Sequence, residues 1–319
     1  MGIRVMVTGA AGLYGIHCCR ELAASPKFEK VIALDNFSRN FVHRPELLFD
    51  GMNRKVQLMK KDFGSLKAKD IDAMNIDAIV HYAAFVSIDE SMVSPSKYFK
   101  NNEEKTFNFS NELLKTKTQP RLIYASSPEV YGNPQYTPMD ELHPMNPRSF
   151  YAASKLASEK HAMVLWEWYG YNVNAIRNFN TFGENQNLSA YSAAIPAFIG
   201  KALKNENLNV TGKGGQTRDF MYVKDAVRAY RLLLEKPSIK GEAFNIGTGK
   251  QTKIKDIANK IVKLSGSKSK VKFVKERKGD LTALEADISK IKKTLGWKPK
   301  YGLDEGLQRT IDWYKQYVK

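Results

Sequence analysis

The sequence predicts an α/β protein: a doubly wound parallel sheet with a smaller C-terminal lobe. Three observations lead there. Short β-branched runs alternate with longer amphipathic stretches from the first residues onward. A glycine-rich turn, "VTGAAGLYG", joins the first such run to the first helical pattern. After about Phe182 the alternation loosens into short strands, loops and helices, as in "AIPAFIGKALKNENLNVTGKGGQTRDFMYV". The expected division is residues 1–180 for the sheet-forming unit and 181–319 for the second lobe, some of whose segments return to pack on the first.

In chain order, "IRVMVTGA" reads as the first strand and "GIHCCRELAAS" as the helix it feeds. "KVIALDN", "AIVHYAA", "RLIYASS" and "NVNAIRNFN" follow as strands, with "TFNFSNELLKTK" and "SFYAASKLASEKHA" as helices between them. The strand runs are apolar nearly throughout rather than alternating, which is the pattern of parallel strands covered by helices on both faces.

At 319 residues, 43% hydrophobic and 11% aromatic, the chain can bury a large core. No apolar run approaches the roughly 18 residues that span a bilayer. "MGIRVMVTGAAG" enters a strand at once, without the charged and apolar regions of a signal peptide, and Met6 stands where a myristoylation signal needs Ser or Thr. The adjacent Cys18 and Cys19 are too few and too close for a disulfide framework or a zinc site. A reduced, cytoplasmic protein with no metal and no membrane contact is expected. The net charge of +17 is concentrated between Lys250 and Lys278, where eleven Lys or Arg face only Asp256 and Glu276. Without interleaved aromatics or a nucleic-acid motif, that stretch reads as a solvated lysine-rich face, and no nucleic-acid partner is expected. The same field favours a small anionic substrate.

Gly9, Gly12 and Gly15 lie directly after one strand and open one helix, where bare backbone can approach a pyrophosphate and the helix N-terminus offers free N–H groups. The spacing is G-x-x-G-x-x-G, because Ala11 takes the place of a middle glycine. The next strand ends at Asp35, twenty residues beyond Gly15, placed to accept both ribose hydroxyls of an adenosine and to repel a 2′-phosphate. NAD is therefore expected as the cofactor, with Arg39 the one nearby residue that speaks for NADP. Asp62 fits either an acceptor for the adenine amino group or an ordinary loop aspartate.

Tyr151 and Lys155 stand at i and i+4 on one helix face. A neighbouring ammonium, helped by a cationic nicotinamide, lowers a phenol's pKa and makes it a usable base. One strand–helix unit earlier, "ASSPEVYG" carries Glu129 at the end of an apolar strand, where a charge is costly unless chemistry uses it or it reaches solvent.

With "TGAAGLYG", "VHYAAFVS", "ASSPEVYG", "YAASK", "RNFNTFG", "QTRDFMYVKD", "FNIGTG" and "LGWKPK", the chain resembles, over nearly its whole length, the extended short-chain dehydrogenase/reductases that modify nucleotide-sugars. The resemblance implies a Rossmann unit binding NAD and a lobe binding a nucleotide-diphosphate sugar, a UDP-sugar by default. It implies that Tyr151 is the catalytic base, that Lys155 orients it and binds the nicotinamide ribose, and that Ser127 bonds the sugar 4-hydroxyl. Leu13, Tyr14, Asn36, Phe63, Ala83, Ala84 and Asn102 join the expected cofactor residues, although "NNEEKT" departs from the family's motif after Asn102. Ser87, Asn180, Val210 and Arg218 are the expected substrate residues, with Asn180 and Arg218 on the diphosphate. An internal pair of Arg218 with Asp219 or Asp225 is the competing reading. "FNIGTG" reads as a turn holding the second lobe together. A homodimer, formed through two helices of the nucleotide unit, is also implied.

Members of this family begin by oxidising a sugar carbon, usually C4, and differ in what stands beside the ketone. The glutamate two residues after the serine resembles the base by which 4,6-dehydratases remove the C5 proton, and Glu129 is assigned that role. Pro128 replaces the aspartic acid that many dehydratases place before it, and it can donate no proton. A 4-epimerase, which needs no such base, is the alternative. A UDP-glucuronate decarboxylase and a non-catalytic NAD-binding scaffold come after it.

Overall fold

The computed structural model describes residues 2–39, 45–52, 54–188, 193–276 and 281–318. Strands β1 (Ile3–Thr8), β2 (Phe28–Asp35), β3 (Val56–Lys60), β4 (Ala78–His81), β5 (Arg121–Ser126) and β6 (Val173–Asn178) follow the expected alternation, with β3 an addition to the runs read from the sequence. Between them run α1 (Leu13–Ala24), α2 (Ala68–Met74), α3 (Ile88–Val93), α4 (Pro95–Tyr98), α5 (Lys105–Leu114) and α6 (Phe150–Tyr169). A π-helical turn, Phe99–Glu104, bridges α4 and α5.

The C-terminal half holds β7 (Thr181–Phe182), β8 (Leu208–Thr211), β9 (Thr217–Arg218), β10 (Met221–Tyr222), β11 (Glu242–Ile246), β12 (Thr252–Lys253) and β13 (Val271–Val274). Its helices are α7 (Ala194–Leu203), α8 (Val223–Leu234), α9 (Ile254–Ser265), α10 (Ser289–Leu295) and α11 (Leu303–Tyr314). One strand of this half returns to the first unit. The main sheet has seven parallel strands in the order β11-β6-β5-β4-β1-β2-β3, so the "FNI" of "FNIGTG" is sheet, not turn. Tyr131 and Met139 explain its place, since both bond the Asn245 side chain from the first half of the chain.

Every residue of β4, β5 and β6 is buried, as expected of central strands covered on both faces. The strand order reverses between β1 and β4, and in open α/β sheets such a point opens a crevice at the strands' C-terminal ends. The paired strands β8 and β13 and helices α7 and α9 stand over that crevice. In α9, Ile254, Ile257, Ala258 and Ile261 are buried while Lys263 is exposed, as are Lys268, Lys270, Lys272 and Lys275 beyond it. The described part of the basic stretch is thus a solvated face; positions 277 and 278 lie outside the described residues. Among the described residues no helix is long and apolar enough to cross a membrane.

Candidate active site

A cavity of about 580 Å³ runs along the crevice, from the glycine-rich turn and Asp35 at one end to Arg218 and Phe220 beneath the second lobe. The turn is shaped by what its glycines omit. Gly9 has φ +68°, in the left-handed region, and a Cβ there would lie 2.8 Å from the Ala83 nitrogen. A Cβ at Gly15 would lie 2.1 Å from the Gly9 carbonyl oxygen, so α1 can start this close to β1 only without one. Gly12 is the N-cap of α1, with no side-chain cap and no acidic residue in the first turn, which leaves the helix's positive end to the cavity. Asp35 closes this end. Its carboxylate accepts from the Ala11 N–H (3.0 Å) and the Phe37 N–H (2.7 Å), while burial pushes its pKa up against those bonds.

Leu13, Tyr14, Asn36, Phe63, Ala83, Ala84 and Ser87 also line the cavity. Three expected cofactor residues, Asp62, Asn102 and Lys155, stand behind its wall. Asp62 caps the turn that starts at Phe63, accepting from Gly64 N–H, Asn36 Nδ2 and Lys105 Nζ, each at 2.8 Å. Burial opposes its ionisation, but those three donors outweigh it and hold the carboxyl below its usual range. Of the two roles weighed for it, the local one is filled. Asn102, 1% exposed, clamps the peptide of Phe85: Oδ1 accepts its N–H and Nδ2 donates to its carbonyl, both at 2.8 Å. It shapes the loop after β4 from behind.

The middle of the cavity holds Ser127, Glu129 and Tyr151 together. Ser127 follows β5 directly and caps the short turn Pro128–Val130, accepting from the Glu129 N–H at 3.3 Å. Tyr151 lies in the first turn of α6, whose N-cap Ser149 accepts from the Ala152 N–H at 3.1 Å. Burial raises the Tyr151 pKa, the Ser127 hydroxyl bond lowers it in part, and Glu129 raises it again. The Lys155 ammonium donates to the Ala125 carbonyl and sits 4.2 Å from the Tyr124 ring centroid, and burial pushes its own pKa down to about 7 against the pull of Glu159. Desolvation holds both groups toward their neutral forms.

Behind these residues runs a buried network that the sequence did not announce. The Arg177 guanidinium meets Glu159 at 2.5 Å, and Glu159 also accepts from Ser126 Oγ at 2.5 Å. Arg177 donates to the Tyr131 hydroxyl (2.7 Å), which donates to Asn245 Oδ1 (2.7 Å).

At the far end Asn180 and Arg218 line the cavity. Asn180 Oδ1 is buried without a hydrogen-bond partner, as expected of a polar atom meant for a ligand. Asp219 is occupied by Thr248, Gly249 and Ala286, and Asp225 by Arg228, Lys300 and Tyr301, while Arg218 donates to the Thr217 (2.8 Å) and Leu281 (2.9 Å) carbonyls. Val210 departs from expectation. It is buried at 1%, because alternation along β8 turns Leu208 and Val210 into the core and presents Asn209 and Thr211 to the cavity. Two further residues escaped the sequence reading. Asn178, the first asparagine of "RNFN", lines the cavity and donates to the Ser126 carbonyl at 3.2 Å. Asn185, at φ 66°, donates to the Ala11 carbonyl at 2.7 Å and so ties the second lobe's loop to the glycine-rich turn.

The family model described as GDP-mannose 4,6 dehydratase matches residues 6–310. The chain belongs to this family. Its members are extended short-chain dehydrogenase/reductases, NAD-dependent enzymes that epimerise, dehydrate or otherwise remodel nucleotide-sugars, and this chain is an enzyme of that kind. It is 32% identical over 316 residues, 98% of each chain, to a putative UDP-glucose 4-epimerase of Methanocaldococcus jannaschii. It is 31% identical to the UDP-glucuronic acid decarboxylase 1 of Xenopus tropicalis, covering 99% of this chain and 73% of that one. The dTDP-glucose 4,6-dehydratase of Streptomyces venezuelae, crystallised with NAD bound, superposes with a TM-score of 0.88 at 28% identity, over 99% of this chain and 98% of that one. The crevice fits that cofactor: backbone without side chains at Gly9 and Gly15, an uncapped helix end at Gly12, and a carboxylate at Asp35.

Proposed function

We propose that this family member is a nucleotide-sugar 4,6-dehydratase acting on a UDP-sugar, with Glu129 as the C5 base. The observation that carries this reading is the convergence of Glu129, Ser127 and Tyr151 on one wall of the cavity, close enough that the Glu129 charge raises the Tyr151 pKa. Gly9, Gly12, Leu13, Tyr14, Gly15, Asp35 and Asn36 would hold NAD, with Phe63, Ala83 and Ala84 alongside. Bound there, NAD supplies the acceptor for the hydride leaving C4 and later gives it back.

The chain's own residues do the rest. Asn180 and Arg218 hold the diphosphate, the latter as a guanidinium suited to phosphate oxygens. Ser127 holds the sugar 4-hydroxyl, and Tyr151 takes its proton. The raised pKa of Tyr151 means that a positive charge beside the phenol is needed to make it a base, and a cationic nicotinamide ring meets that need. Lys155, buried on the Ala125 carbonyl behind the cavity wall, braces the end of β5 from which Ser127 follows. The 4-ketone acidifies C5–H, Glu129 removes that proton, and the same carboxyl returns it to the departing 6-hydroxyl, since Pro128 has none to give. A 4-epimerase is the second reading, favoured by that proline and by the epimerase relative.

The deciding experiment is NMR of the product formed from UDP-glucose or UDP-N-acetylglucosamine in D₂O. A 4-keto-6-deoxy sugar carrying deuterium at C5, lost in Glu129→Gln while C4 oxidation persists, supports the dehydratase. A C4-inverted sugar without deuterium makes the enzyme an epimerase.

The partner in solution is a second copy of the chain. Phe107 on α5 and His161 on α6 meet edge to face at 5.1 Å, and Phe107, Val164 and Trp168 leave an apolar surface on this helix pair, with Trp168 80% exposed.

A further inference from the structure

A reaction that borrows a hydride and returns it must keep its reduced cofactor seated while the ketosugar exists; early release would strand the sugar as a ketone and leave the enzyme empty. A feature at the cofactor end of the cavity meets that need. One wall there is the segment Asp35–Arg39 after β2, and the other is the loop after β4 that leads through Phe85 into α3. Arg39 joins the two. Its guanidinium lies 2.6 Å from Glu90 Oε2 on α3 and 5.0 Å from the Phe85 ring centroid.

Both anchors are held firmly. Glu90 is 9% exposed, and its carboxylate also receives Lys97 Nζ at 2.7 Å and the Tyr98 hydroxyl at 2.9 Å. Lys97 in turn lies 4.7 Å from the other anchor, the Phe85 ring. The Phe85 peptide is the one clamped on both sides by Asn102. Arg39 NH1, by contrast, is a buried nitrogen without a hydrogen-bond partner, and Arg39 itself lines the cavity. An exposed ion pair contributes little, but one whose carboxylate is nearly buried, and whose cation also lies over an aromatic face, contributes more.

We propose that Arg39 and Glu90 tie the two walls together across the adenosine end of the cavity and slow the release of NAD and NADH, so that one cofactor molecule serves both hydride transfers. The position of that end rests on Asp35 as the adenosine ribose acceptor. The proposal does not depend on whether the sugar is dehydrated or epimerised.

The test is the dissociation rate of NADH from the full-length protein, followed by the loss of its fluorescence when excess NAD displaces it. Arg39→Ala and Glu90→Gln are each expected to speed release about ten-fold, and the double variant by clearly less than the product of the two, because both remove the Arg39–Glu90 pair. Arg39→Lys should restore part of the loss. Raising salt from about 0.05 to about 0.5 M should speed release from the wild type and leave Arg39→Ala unaffected, because screening weakens the pair only where it exists. If Glu90→Gln disturbs α3, seen as a fall in Tm, the Arg39 variants and the salt series decide. A release rate unchanged in Arg39→Ala, or equally salt-sensitive in Arg39→Ala and wild type, overturns the proposal.

Discussion

Two residues beyond Glu129, the Tyr131 hydroxyl accepts from Arg177 and donates to Asn245, which joins the turn carrying the carboxylate to β6 and β11 at once. Tyr131→Phe takes the donor from Asn245 Oδ1 and leaves Arg177 Nη1 with only the Glu141 carbonyl, in a buried site. The cost expected is about 1–3 kcal/mol, read as a lower urea midpoint at unchanged slope. At this scale the sequence was informative wherever a residue's chemistry is local. Tyr151 and Glu129 stood out in their own short motifs, Ser127 was named by the family resemblance those motifs carry, and the structure brings all three onto one wall. Asp62 and Asn102 could not be judged that way, since their partners, Lys105 and Phe85, are set by tertiary contacts. The Tyr151–Lys155 spacing likewise identified a shared helix face but not the carbonyl of Ala125 that takes up the ammonium.

Among the elements, α1 depends most on one missing atom. Gly15→Ala would place a Cβ 2.1 Å from the Gly9 oxygen, backbone that cannot rotate away. The helix must shift, at a cost of about 1–3 kcal/mol, and the turn opens with it. NAD affinity, measured by calorimetry, is expected to fall at least about ten-fold, whereas Gly170→Ala at the end of α6, in open space, should leave it unchanged. Long apolar runs made the central strands legible, because burial on both faces demands them. Strands β3 and β11 were not, since their burial is partial and their hydrophobic pattern short. The same holds for β8, where only the pleat's phase decides that Asn209 and Thr211, and not Val210, meet the cavity.

For the whole molecule, two buried histidines set the response to acid. Burial lowers the His17 pKa to about 4 against the pull of Glu184, and it lowers His81 to about 3 with Lys155 adding to the effect. Both folded values lie below the unfolded value of about 6.5, so as pH falls below it the folded state binds fewer protons than the unfolded state. Stability is therefore full above about pH 6.5, falls as pH drops toward 4, and loses on the order of several kcal/mol from the pair. Urea midpoints across that window check it, and His17→Gln should flatten part of the slope. The apolar surface of α5 and α6 makes a second prediction. Phe107→Asp with Trp168→Asp should convert the proposed dimer to a monomer in sedimentation, with the far-ultraviolet spectrum unchanged.

What the sequence determined alone was everything carried by short range and composition: the βα alternation, the glycine-rich turn with Asp35 twenty residues on, and the tyrosine–lysine pair and glutamate, with the serine added by the resemblance those motifs carry. Each of these is a local pattern, written in neighbouring residues. Only the tertiary structure decided that β11 returns to the first sheet, that Arg177 and Glu159 pair beneath β5, that Asn185 reaches Ala11, and that Arg39 finds Glu90. Those contacts join residues far apart in the chain, and they form because a buried charge or amide must find a partner wherever packing leaves one within reach.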